Sequence, residues 1–542
     1  MAGLAAAFGS GAMTNSFAEL EHAKCVLVIG SNTTVAHPIG AKRLMRVRGN
    51  GGRLMVADPR KTQIAQLADL HVQHNLGSDV ALINGMMHVI YKSGWHNHAF
   101  IDERTENLPA LLEVIEHFPP DRVAQITGVA EADIVKMAEW YAKSDASAIV
   151  YVLGITQHST GTDNVKSLAN LAMLCGHIGR PSTGVNPIRG QNNVQGACDM
   201  GALPNVFPGY QYVTIPDNVA KFEKAWNVKL SATPGLTMFE QIEAILEGKV
   251  KGLVVFGANP VTSYPDVNQV EKAMQALDFL LVMDIFPTPT TEFAHLVLPA
   301  TSFAESDGTF SNSERRVQRV RPAIDPIPGK TNWQTIQELS SRMEYPMNFT
   351  SGEDIFNEMA SLTPAFGGMT FARLNEKGLC WPCPTPDHPG TQYLHKDRFA
   401  RGLGAFQSID YRPPAEAPDA EYPLWLTTGT IFTQYLTGTM TRRCPTLHHE
   451  NPVVEMEIHP ADARRLHIQP GEQVKASSRR GTIMVKALVT ERVKPGVLFI
   501  PLHYMENAAN RLTNAALDPV TKTPEYKVCA VCLNKVGVDK IA

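Results

Sequence analysis

Two short apolar runs joined by a glycine turn and a helical segment constrain the fold of this 542-residue chain most strongly. Cys25–Ile29 (CVLVI) is followed by a glycine turn, a helix predicted from about Ile39, and a second run, Arg53–Ala57 (RLMVA). Strand, helix and strand form a βαβ unit, which requires a right-handed crossover between parallel strands. The sequence therefore predicts a parallel α/β sheet with Asn32 and Asp58 at its carboxyl edge, where such sheets bind ligands.

The same pattern recurs later in the chain at nearly the same spacing. Residues 253–256 (LVVF) lead through a glycine to Asn259, and residues 279–283 (FLLVM) lead to Asp284. A guanine base presents N1–H and N2–H₂ side by side, so one carboxylate can accept both hydrogen bonds. Two such units would suit two guanine-bearing tails. The alternative is that Asp58 and Asp284 only terminate strands.

Residues 184–201 (GVNPIRGQNNVQGACDMG) concentrate four glycines, three asparagines and two glutamines around the single arginine Arg189. Buried amides must find hydrogen-bond partners, so a core has no use for so many of them. Glycines let the backbone approach a polar ligand, and side-chain amides can form hydrogen bonds with the donors and acceptors of that ligand. The segment is therefore predicted to be a ligand-binding loop. The planar guanidinium of Arg189 would donate two parallel hydrogen bonds to a carboxylate or a phosphate.

This segment, together with SLANLAMLCGHIGRPSTG before it and GALPNVFPGYQYV after it, resembles the pterin- and substrate-binding region of molybdopterin-dependent formate dehydrogenases. The similarity runs over nearly the whole chain, to TKTPEYK at 521–527. It implies two Rossmann-like α/β domains with parallel sheets and a C-terminal β-barrel, as in the DMSO reductase-like superfamily. It also implies the catalytic subunit of an enzyme that oxidises formate to CO₂. The alternatives are a related oxidoreductase such as nitrate reductase, or a truncated cofactor-binding chain without turnover.

The resemblance implies a bis-molybdopterin guanine dinucleotide cofactor that carries molybdenum or tungsten. Arg189 would hold both oxygens of formate, the alternative being a salt bridge to a cofactor phosphate. The cofactor-binding residues that it implies are Asn32, Asp58, Pro59, Arg60, Gly77, Ser78, Gln157, Gly190, Gln191, Asn259, Ser263, Asp284, Tyr435, Asn510, Tyr526 and Lys527. In the segment TGTIFTQYLTGTMTRR, Thr430, Gln434 and Leu436 depart from the family pattern, and His295 stands where an aspartate is common.

The resemblance also divides the chain into five predicted segments. They are an α/β domain at 1–191, an incomplete second α/β domain at 192–303, a returning segment at 304–344, an irregular connector at 345–423, and a β-barrel dinucleotide-binding domain at 424–542. Within the last one, short runs at 424–428, 453–458, 473–477, 482–489 and 497–501 predict the barrel strands, with a helix at 460–466.

No metal ligand is assigned within this chain. By the resemblance, we expect the selenocysteine or cysteine that ligates the metal, and the cysteines of a 4Fe-4S cluster, to lie before Met1, and we hypothesise that a UGA codon interrupts the reading frame there. Cys380–Cys383 and Cys529–Cys532 have the spacing of metal-binding pairs, but thiols without metal are the favoured interpretation. His448 and His449 are predicted to lie on a surface loop.

The overall composition excludes several classes of protein. A net charge of −4 does not indicate a basic surface for binding nucleic acid, and no apolar run reaches the length of a membrane span. Eight cysteines in 542 residues do not form a disulfide framework. The expected partners are formate and an iron–sulfur electron-transfer subunit or a hydrogenase- or NAD-linked partner. The expected location is the cytoplasm, although any export signal would precede Met1.

Overall fold

The computed structural model describes residues 1–536, so the last residues of the predicted C-terminal domain, 537–542, lie outside the described residues. The chain divides into two compact units. The first comprises Met1–Ile188, Val261–Asn268 and Tyr393–Ala542, and the second comprises Arg189–Pro260 and Gln269–Gln392. Each unit combines segments that are distant in sequence, and the five-segment division made from the sequence stays a prediction.

The first unit contains a five-stranded sheet in which every neighbouring pair is parallel. Its strands, in spatial order, are Leu70–Val72, Arg53–Ala57, Cys25–Ile29, Ser147–Tyr151 and Gly184–Pro187. The chain order therefore reverses at the Cys25–Ile29 strand, with later strands added on its other side. Such a switch point opens a crevice at the carboxyl edge, which is the usual ligand site of this architecture.

The central strand is buried on both faces because its side chains alternate between two hydrophobic clusters. Cys25, Leu27 and Ile29 point into one cluster, and Val26 and Val28 point into the other. Alternation of this kind with five consecutive apolar residues is typical of a parallel strand covered by helices on both sides. This strand is the centre of the α/β core.

Gly30, directly after the central strand, has a left-handed backbone (φ 57°). The amide of Gly154 donates a hydrogen bond to its carbonyl at 3.0 Å, and a Cβ on Gly30 would lie 2.7 Å from the Gly154 carbonyl carbon. A side chain would therefore collide with backbone at this point. The two glycines let the chain segments after two neighbouring strands approach closely at the switch point.

Helices surround the sheets in both units. Those of the first unit are Ala2–Phe8, Phe17–Leu20, Thr33–Ala36, Pro38–Gly49, Gln63–Gln66, Asp79–Lys92, His98–Arg104, Leu108–Ile115, Pro120–Thr127, Glu131–Lys143, Leu153–Thr156, Gly161–Leu174, Pro445–Glu450 and Pro460–Arg465. Those of the second unit are Val194–Asp199, Pro216–Trp226, Met238–Leu246, Asn332–Arg342, Gly352–Leu362 and Phe371–Glu376. Two further helices, Pro260–Ser263 and Val267–Gln275, include positions of both units.

The C-terminal part of the first unit forms a closed barrel. Its strands, in spatial order, are Leu424–Gly429, Val497–Pro501, Glu455–Ile458, Thr482–Val489, Gln473–Ser477 and Cys529–Lys535. The interior is an apolar cluster that includes Leu426, Val485 and Leu498. Closure removes the unpaired strand edges that an open sheet would leave.

The second unit contains a three-stranded parallel sheet with Phe279–Asp284 between Leu296–Pro299 and Gly252–Phe256. An antiparallel sheet is formed by Gly308–Ser311, Arg316–Val320 and Leu379–Cys380. Two-residue strands complete the list: Val206–Phe207 with Gln211–Tyr212 in the second unit, and Thr105–Glu106 with Gly404–Ala405 in the first.

Several details differ from the sequence prediction. The apolar run 148–154 (AIVYVLG) predicts a third buried strand, but the strand ends at Tyr151 and the chain continues as the helix Leu153–Thr156. The predicted irregular connector 345–423 contains the helices Gly352–Leu362 and Phe371–Glu376. His448 and His449 lie on the helix Pro445–Glu450 and not on a loop, because a proline at its start presets the helical backbone.

The barrel strand Cys529–Lys535 was not predicted, because its CAVCLNK sequence ends in polar residues and does not alternate cleanly. Among residues 1–536, none of the helices combines the length and apolar character that crossing a bilayer requires.

Candidate functional site

Asn32 and Asp58 lie at the carboxyl edge of the first sheet. Asn32 Oδ1 accepts a hydrogen bond from Thr34 Oγ1 at 3.3 Å, and Asp58 Oδ1 accepts one from the Arg60 amide at 2.9 Å. Burial raises the pKa of Asp58, while the Arg60 amide and the nearby His74 oppose that rise. The edge therefore offers an amide and a desolvated carboxylate for recognition of a polar ligand.

Arg60 is held by a carboxylate of the barrel. Its Nε donates to Glu457 Oε2 at 2.6 Å and its Nη2 donates to Oε1 at 2.5 Å. The guanidinium carbon lies 4.0 Å from the centroid of the Phe499 ring, and Arg492 Nη1 donates to the same carboxylate at 3.1 Å. The carbonyl of Pro59, next to Arg60, accepts a hydrogen bond from a glutamine side chain at 3.2 Å. This ion pair ties the sheet edge to the barrel within the first unit.

A cavity of about 430 Å³ opens at this edge. Its walls come from the segments after the first two strands, including Asn32, Arg60 and Thr62, and from barrel residues such as Thr430 and Phe432. Its volume falls within the range of about 300–1,000 Å³ that small-molecule sites occupy. The cavity is lined by basic, acidic, amide and hydroxyl side chains together with apolar ones such as Val453 and Phe499, a mixture that suits a nucleotide-sized ligand.

Gly77 and Ser78 form the turn before the helix Asp79–Lys92. Gly77 has a left-handed backbone (φ 72°), and a Cβ there would lie 2.5 Å from Pro414 Cγ. Ser78 Oγ donates to the Asn75 carbonyl at 2.7 Å. The turn is thus compact and cannot accept a larger residue at Gly77 without displacing the proline.

Gln157 and Lys527, two of the predicted cofactor-binding residues, lie close together in the first unit. The Lys527 amide donates to the Gln157 carbonyl at 3.3 Å, and Lys527 Nζ donates to the Thr428 carbonyl at 2.7 Å. Burial lowers the pKa of Lys527 to about 8, and the Asp58 carboxylate opposes that shift. Lys527 and Asp58 are therefore close enough to interact electrostatically.

Ser263, Asn510 and Tyr526, three of the predicted cofactor-binding residues, are joined by hydrogen bonds within the first unit. Asn510 Nδ2 donates to the carbonyls of Thr262 at 2.9 Å and Ser263 at 3.0 Å, and the Tyr526 hydroxyl donates to the Ser263 carbonyl at 3.0 Å. Burial raises the pKa of Tyr526. These contacts use the backbone of Ser263, so the structure brings the three residues together through its carbonyl.

Tyr435 is 39% exposed, and its amide donates to Thr441 Oγ1 at 3.1 Å. Its neighbours are two of the positions that depart from the family pattern. Gln434 is buried, and within the described part of the chain its Nε2 has no hydrogen-bond partner. Leu436 has a left-handed backbone (φ 46°). This loop therefore carries strain and an unsatisfied amide beside Tyr435.

Arg189 lies in the second unit and is anchored at two points. Its amide donates to Ser313 Oγ at 2.8 Å, and its Nε donates to Gln195 Oε1 at 2.8 Å. Cys198 is buried nearby, and burial raises the pKa of that thiol while the positive charge of Arg189 opposes the shift. Arg189 itself is half-buried, and next to it in the chain Gly190 is exposed and Gln191 is half-buried.

Asn259 and Asp284 occupy the corresponding positions of the second parallel sheet. Asn259 is buried, and its Oδ1 accepts a hydrogen bond from Thr290 Oγ1 at 2.8 Å. Asp284 Oδ1 accepts a hydrogen bond from the Ile285 amide at 2.7 Å. His295, a departure from the family pattern, accepts a hydrogen bond at Nδ1 from the Leu280 amide at 3.0 Å. The histidine thus has a structural contact with the central strand of this sheet.

The two cysteine pairs differ in their surroundings. Cys380, Cys383 and Cys529 are buried, and Cys532 is partly buried. Cys383 Sγ contacts the His388 carbonyl at 3.4 Å, and Arg373 Nη1 lies 3.5 Å from the same sulfur. Within residues 1–536, no group of three or more His, Cys, Asp or Glu side chains is arranged around a metal position.

Sequence reasoning missed several polar residues at the first sheet edge. Glu457 is buried in the barrel strand Glu455–Ile458 (EMEI), which also contains Glu455, so no local pattern distinguished it from its neighbouring acid. The hydroxyls of Ser31 and Thr33 are buried after the first strand, with no hydrogen-bond partner among the described residues. They flank Asn32 in the sequence, so the turn itself was the signal.

These features test whether a dinucleotide tail fits the first edge. Buried hydroxyls are normally hydrogen-bonded, so the orphaned Ser31 and Thr33 oxygens indicate a polar group that belongs beside them. The adjoining cavity has nucleotide size and also contains the basic side chains of Lys61 and Arg492. The residues present therefore fit a nucleotide-bearing cofactor at this edge.

Comparison with known proteins agrees with this geometry. Residues 3–342 match the molybdopterin oxidoreductase family, and residues 424–530 match the molybdopterin dinucleotide binding domain. The chain is 48% identical to the F420-dependent formate dehydrogenase subunit alpha of Methanocaldococcus jannaschii over 98% of its length and 80% of that protein. It is 38% identical to formate dehydrogenase H of Escherichia coli over 100% of this chain and 77% of that protein.

A solved structure gives the same result for the fold. Acetylene hydratase from Pelobacter acetylenicus superimposes with a TM-score of 0.79 at 19% identity, covering 98% of this chain and 80% of that protein. The predicted fold class, with parallel α/β sheets and a closed C-terminal barrel, is confirmed. On the extent of the family match and the identity to its relatives, this chain belongs to the molybdopterin oxidoreductase family.

Proposed function

We propose that this chain oxidises formate to CO₂ as the catalytic subunit of a molybdopterin-dependent formate dehydrogenase, with molybdenum or tungsten held by two molybdopterin guanine dinucleotides. The observation that carries the proposal is the identity of 48% and 38% to proteins named formate dehydrogenase, over almost the whole chain. The balanced reaction is HCOO⁻ to CO₂, one proton and two electrons. When bound, the cofactor supplies the two-electron acceptor.

The first tail would be held by the carboxyl edge of the first sheet. Asp58 would accept the paired N–H groups of a guanine, and Asn32 with the hydroxyls of Ser31 and Thr33 would satisfy neighbouring polar atoms. Gly77 and Ser78 would shape the turn beside it. Lys527, with its pKa lowered to about 8, would keep a positive charge near the tail below that pH.

Asn259, Ser263 and Asp284 would belong to the second tail, and Asn510, Tyr526 and Tyr435 of the barrel would be further cofactor contacts. Support comes from the repeated strand–glycine–asparagine pattern, whose glycines share a left-handed backbone (φ 57° at Gly30 and 59° at Gly257). Gln157, Gly190 and Gln191 would approach the pterins.

Arg189 would bind formate. Formate is a bare carboxylate with one C–H bond, so a bidentate cation is needed to hold both oxygens and aim the hydrogen. The hydrogen bond from Arg189 Nε to Gln195 fixes the plane of the guanidinium and supports this role. The alternative, a salt bridge to a cofactor phosphate, predicts loss of cofactor when Arg189 is changed.

Electrons would leave to an iron–sulfur electron-transfer subunit or a hydrogenase- or NAD-linked partner, and we place the protein in the cytoplasm. Formate dehydrogenase relatives named as alpha subunits support the existence of a partner subunit. Co-purification from the native host with identification of the bound chains, and fractionation of that host, test the two assignments.

The test of the proposed function is a comparison of substrates on the purified native holoenzyme. Formate oxidation with an artificial electron acceptor is expected, with nitrate reduction at least about a hundredfold slower. Efficient nitrate turnover without formate turnover would identify a different member of the family. Metal-loaded protein that turns over neither substrate would support a cofactor-binding role alone.

A further inference from the structure

A buried chain of hydrogen bonds leads away from Arg189. Arg189 Nε donates to Gln195 Oε1 at 2.8 Å, and Gln195 Nε2 donates to Asp199 Oδ1 at 2.8 Å and to the Tyr210 hydroxyl at 2.6 Å. The Tyr210 hydroxyl donates to Asp199 Oδ1 at 2.9 Å, and Trp381 Nε1 donates to Asp199 Oδ2 at 3.0 Å. Gln195 and Asp199 are each 1% exposed. A carboxylate buried to this degree requires a reason.

The helix Val194–Asp199 explains how two of these residues meet. Gln195 and Asp199 are four positions apart, so their side chains lie on the same face of the helix. Tyr210 reaches the pair from a left-handed backbone position (φ 61°), which is uncommon for a bulky residue. The strained backbone is retained where the tyrosine hydroxyl meets the carboxylate.

The polarity of the network fixes the orientation of the glutamine amide. Burial raises the pKa of Asp199, and the hydrogen bonds from Gln195, Tyr210 and Trp381 oppose that rise. Both carboxyl oxygens accept these hydrogen bonds, so the Gln195 NH₂ group faces Asp199. The Gln195 oxygen then points the other way, toward Arg189 Nε. The guanidinium is planar, so the direction of its Nε–H bond sets the plane in which both terminal nitrogens lie. Asp199 can therefore control the orientation of Arg189 without touching it.

We propose that Asp199 is a positioning residue that fixes, through Gln195, the plane in which Arg189 holds the two oxygens of formate. This inference rests on the proposed function of the chain. It assigns to the buried carboxylate a role in aiming the substrate.

The decisive variant is Asp199→Asn, because it keeps the shape of the side chain and replaces one acceptor oxygen with a hydrogen-bond donor. An asparagine amide facing Gln195 would favour a flipped glutamine whose NH₂ group meets Arg189 Nε, donor against donor. Arg189 would lose the hydrogen bond at Nε that orients its guanidinium. We expect kcat/KM for formate to fall roughly 10- to 100-fold, with KM raised, because misplacement of a binding group by about 1 Å can cost a hundredfold.

The double variant Gln195→Glu with Asp199→Asn restores the polarity. The new glutamate accepts from Arg189 and from the asparagine, and the number of negative charges in the pair is unchanged. We expect kcat/KM within about fivefold of the wild type, although each single change alone lowers it. A role limited to folding predicts no such rescue, because the double variant would combine two separate defects.

The measurements use the native holoenzyme and include a readout other than turnover. Formate affinity is measured from the formate-dependent rise of the unfolding midpoint, alongside metal and guanine nucleotide content and the midpoint without formate. Asp217→Asn, an exposed aspartate of the same unit, is the matched control and should equal the wild type. Tyr212→Phe is the exposed control for Tyr210→Phe, which we expect to weaken formate binding less than Asp199→Asn does.

The outcomes separate this inference from the proposed function. An active wild type whose Asp199→Asn variant keeps normal formate affinity and kcat/KM overturns the inference alone. Equal losses in the single and double variants, with a matching fall in cofactor content, also overturn it in favour of a structural role. A loaded wild type that neither binds nor oxidises formate overturns the proposed function and this inference together.

Discussion

The two strand–glycine–strand motifs, one in each compact unit, are alike in local geometry but differ in their surroundings. Gly30 and Gly257 both have left-handed backbones, and the aspartate at the end of each following strand accepts a backbone N–H. The first of these motifs lies in the five-stranded sheet of the first compact unit, and the central strand of that sheet is fully buried. In the three-stranded sheet of the second unit, Val254 and Phe256 are 46% and 45% exposed.

This difference teaches that the repeated sequence pattern specifies the turn and the strand end, whereas burial depends on the elements packed around them. Burial raises the pKa of Asp58 because helices and barrel residues enclose the first edge. The pattern alone therefore predicts where a ligand group can be bound, and the packing decides how strongly the site is desolvated. The following predictions test this distinction.

The largest effect is expected for Arg189→Lys, which should leave cofactor binding intact. The charge is kept but the bidentate fork is lost, so we expect kcat/KM for formate to fall about a thousandfold. Metal and guanine nucleotide content, measured on the same preparation, should equal the wild type. A parallel loss of cofactor would instead assign Arg189 to a cofactor phosphate.

The second prediction compares Asp58→Asn with Asp284→Asn. An amide cannot accept both N–H groups of a guanine, and hydrogen bonds to charged groups contribute about 1.5–3 kcal/mol, or roughly 10- to 100-fold in affinity. Each variant should lose guanine nucleotide, assayed by acid release and chromatography. We expect the larger loss at Asp58, where the carboxylate is desolvated. Full nucleotide content in both variants would show that the aspartates only end strands.

The third prediction concerns packing of the two sheets. Val28→Ala removes two buried methyl groups from the central strand of the first sheet and should lower the free energy of unfolding by about 2 kcal/mol. Val254→Ala, at a half-exposed position, should lower it by less than about 0.5 kcal/mol. Urea unfolding of the two variants measures the difference. Equal effects would mean that the second sheet is covered in solution.

The smallest effect concerns pH and the buried His177 of the first unit. Burial, with Arg180 nearby, lowers the pKa of His177 to about 3. The unfolded chain binds a proton near pH 6.5 and the folded chain does not, so the stabilisation is present above pH 6.5 and is lost as pH falls. This histidine alone should lower the free energy of unfolding by roughly 0.7 kcal/mol between pH 7 and 6. The dependence should be weaker in His177→Gln, and an identical slope would contradict the assignment.

Much of the α/β and barrel architecture was predictable because it depends on local patterns. The strands Cys25–Ile29 and Arg53–Ala57 have the predicted bounds, since apolar β-branched runs ending in glycine or aspartate are strong signals. The family membership, the cofactor and the formate activity that were inferred from the RGQNNVQGACDMG segment are confirmed by the family match and by the similar proteins. The individual site residues and the segment boundaries remain predictions.

The missed features depend on contacts between distant parts of the chain. The bidentate pair of Arg60 with Glu457 joins residues almost 400 positions apart, which no local pattern encodes. The barrel strand Cys529–Lys535 is stabilised by pairing with two other strands and not by its own alternation. The link from Arg189 through Gln195 to Trp381 likewise requires the folded second unit.

The central claim is that two like edges each hold one guanine-bearing tail. The most direct measurement is the molar ratio of guanine nucleotide to molybdenum or tungsten in the purified native protein, after acid release of the nucleotide. We expect about two guanine nucleotides per metal atom, as the bis-dinucleotide cofactor requires. A ratio of one, or metal without guanine nucleotide, would contradict it.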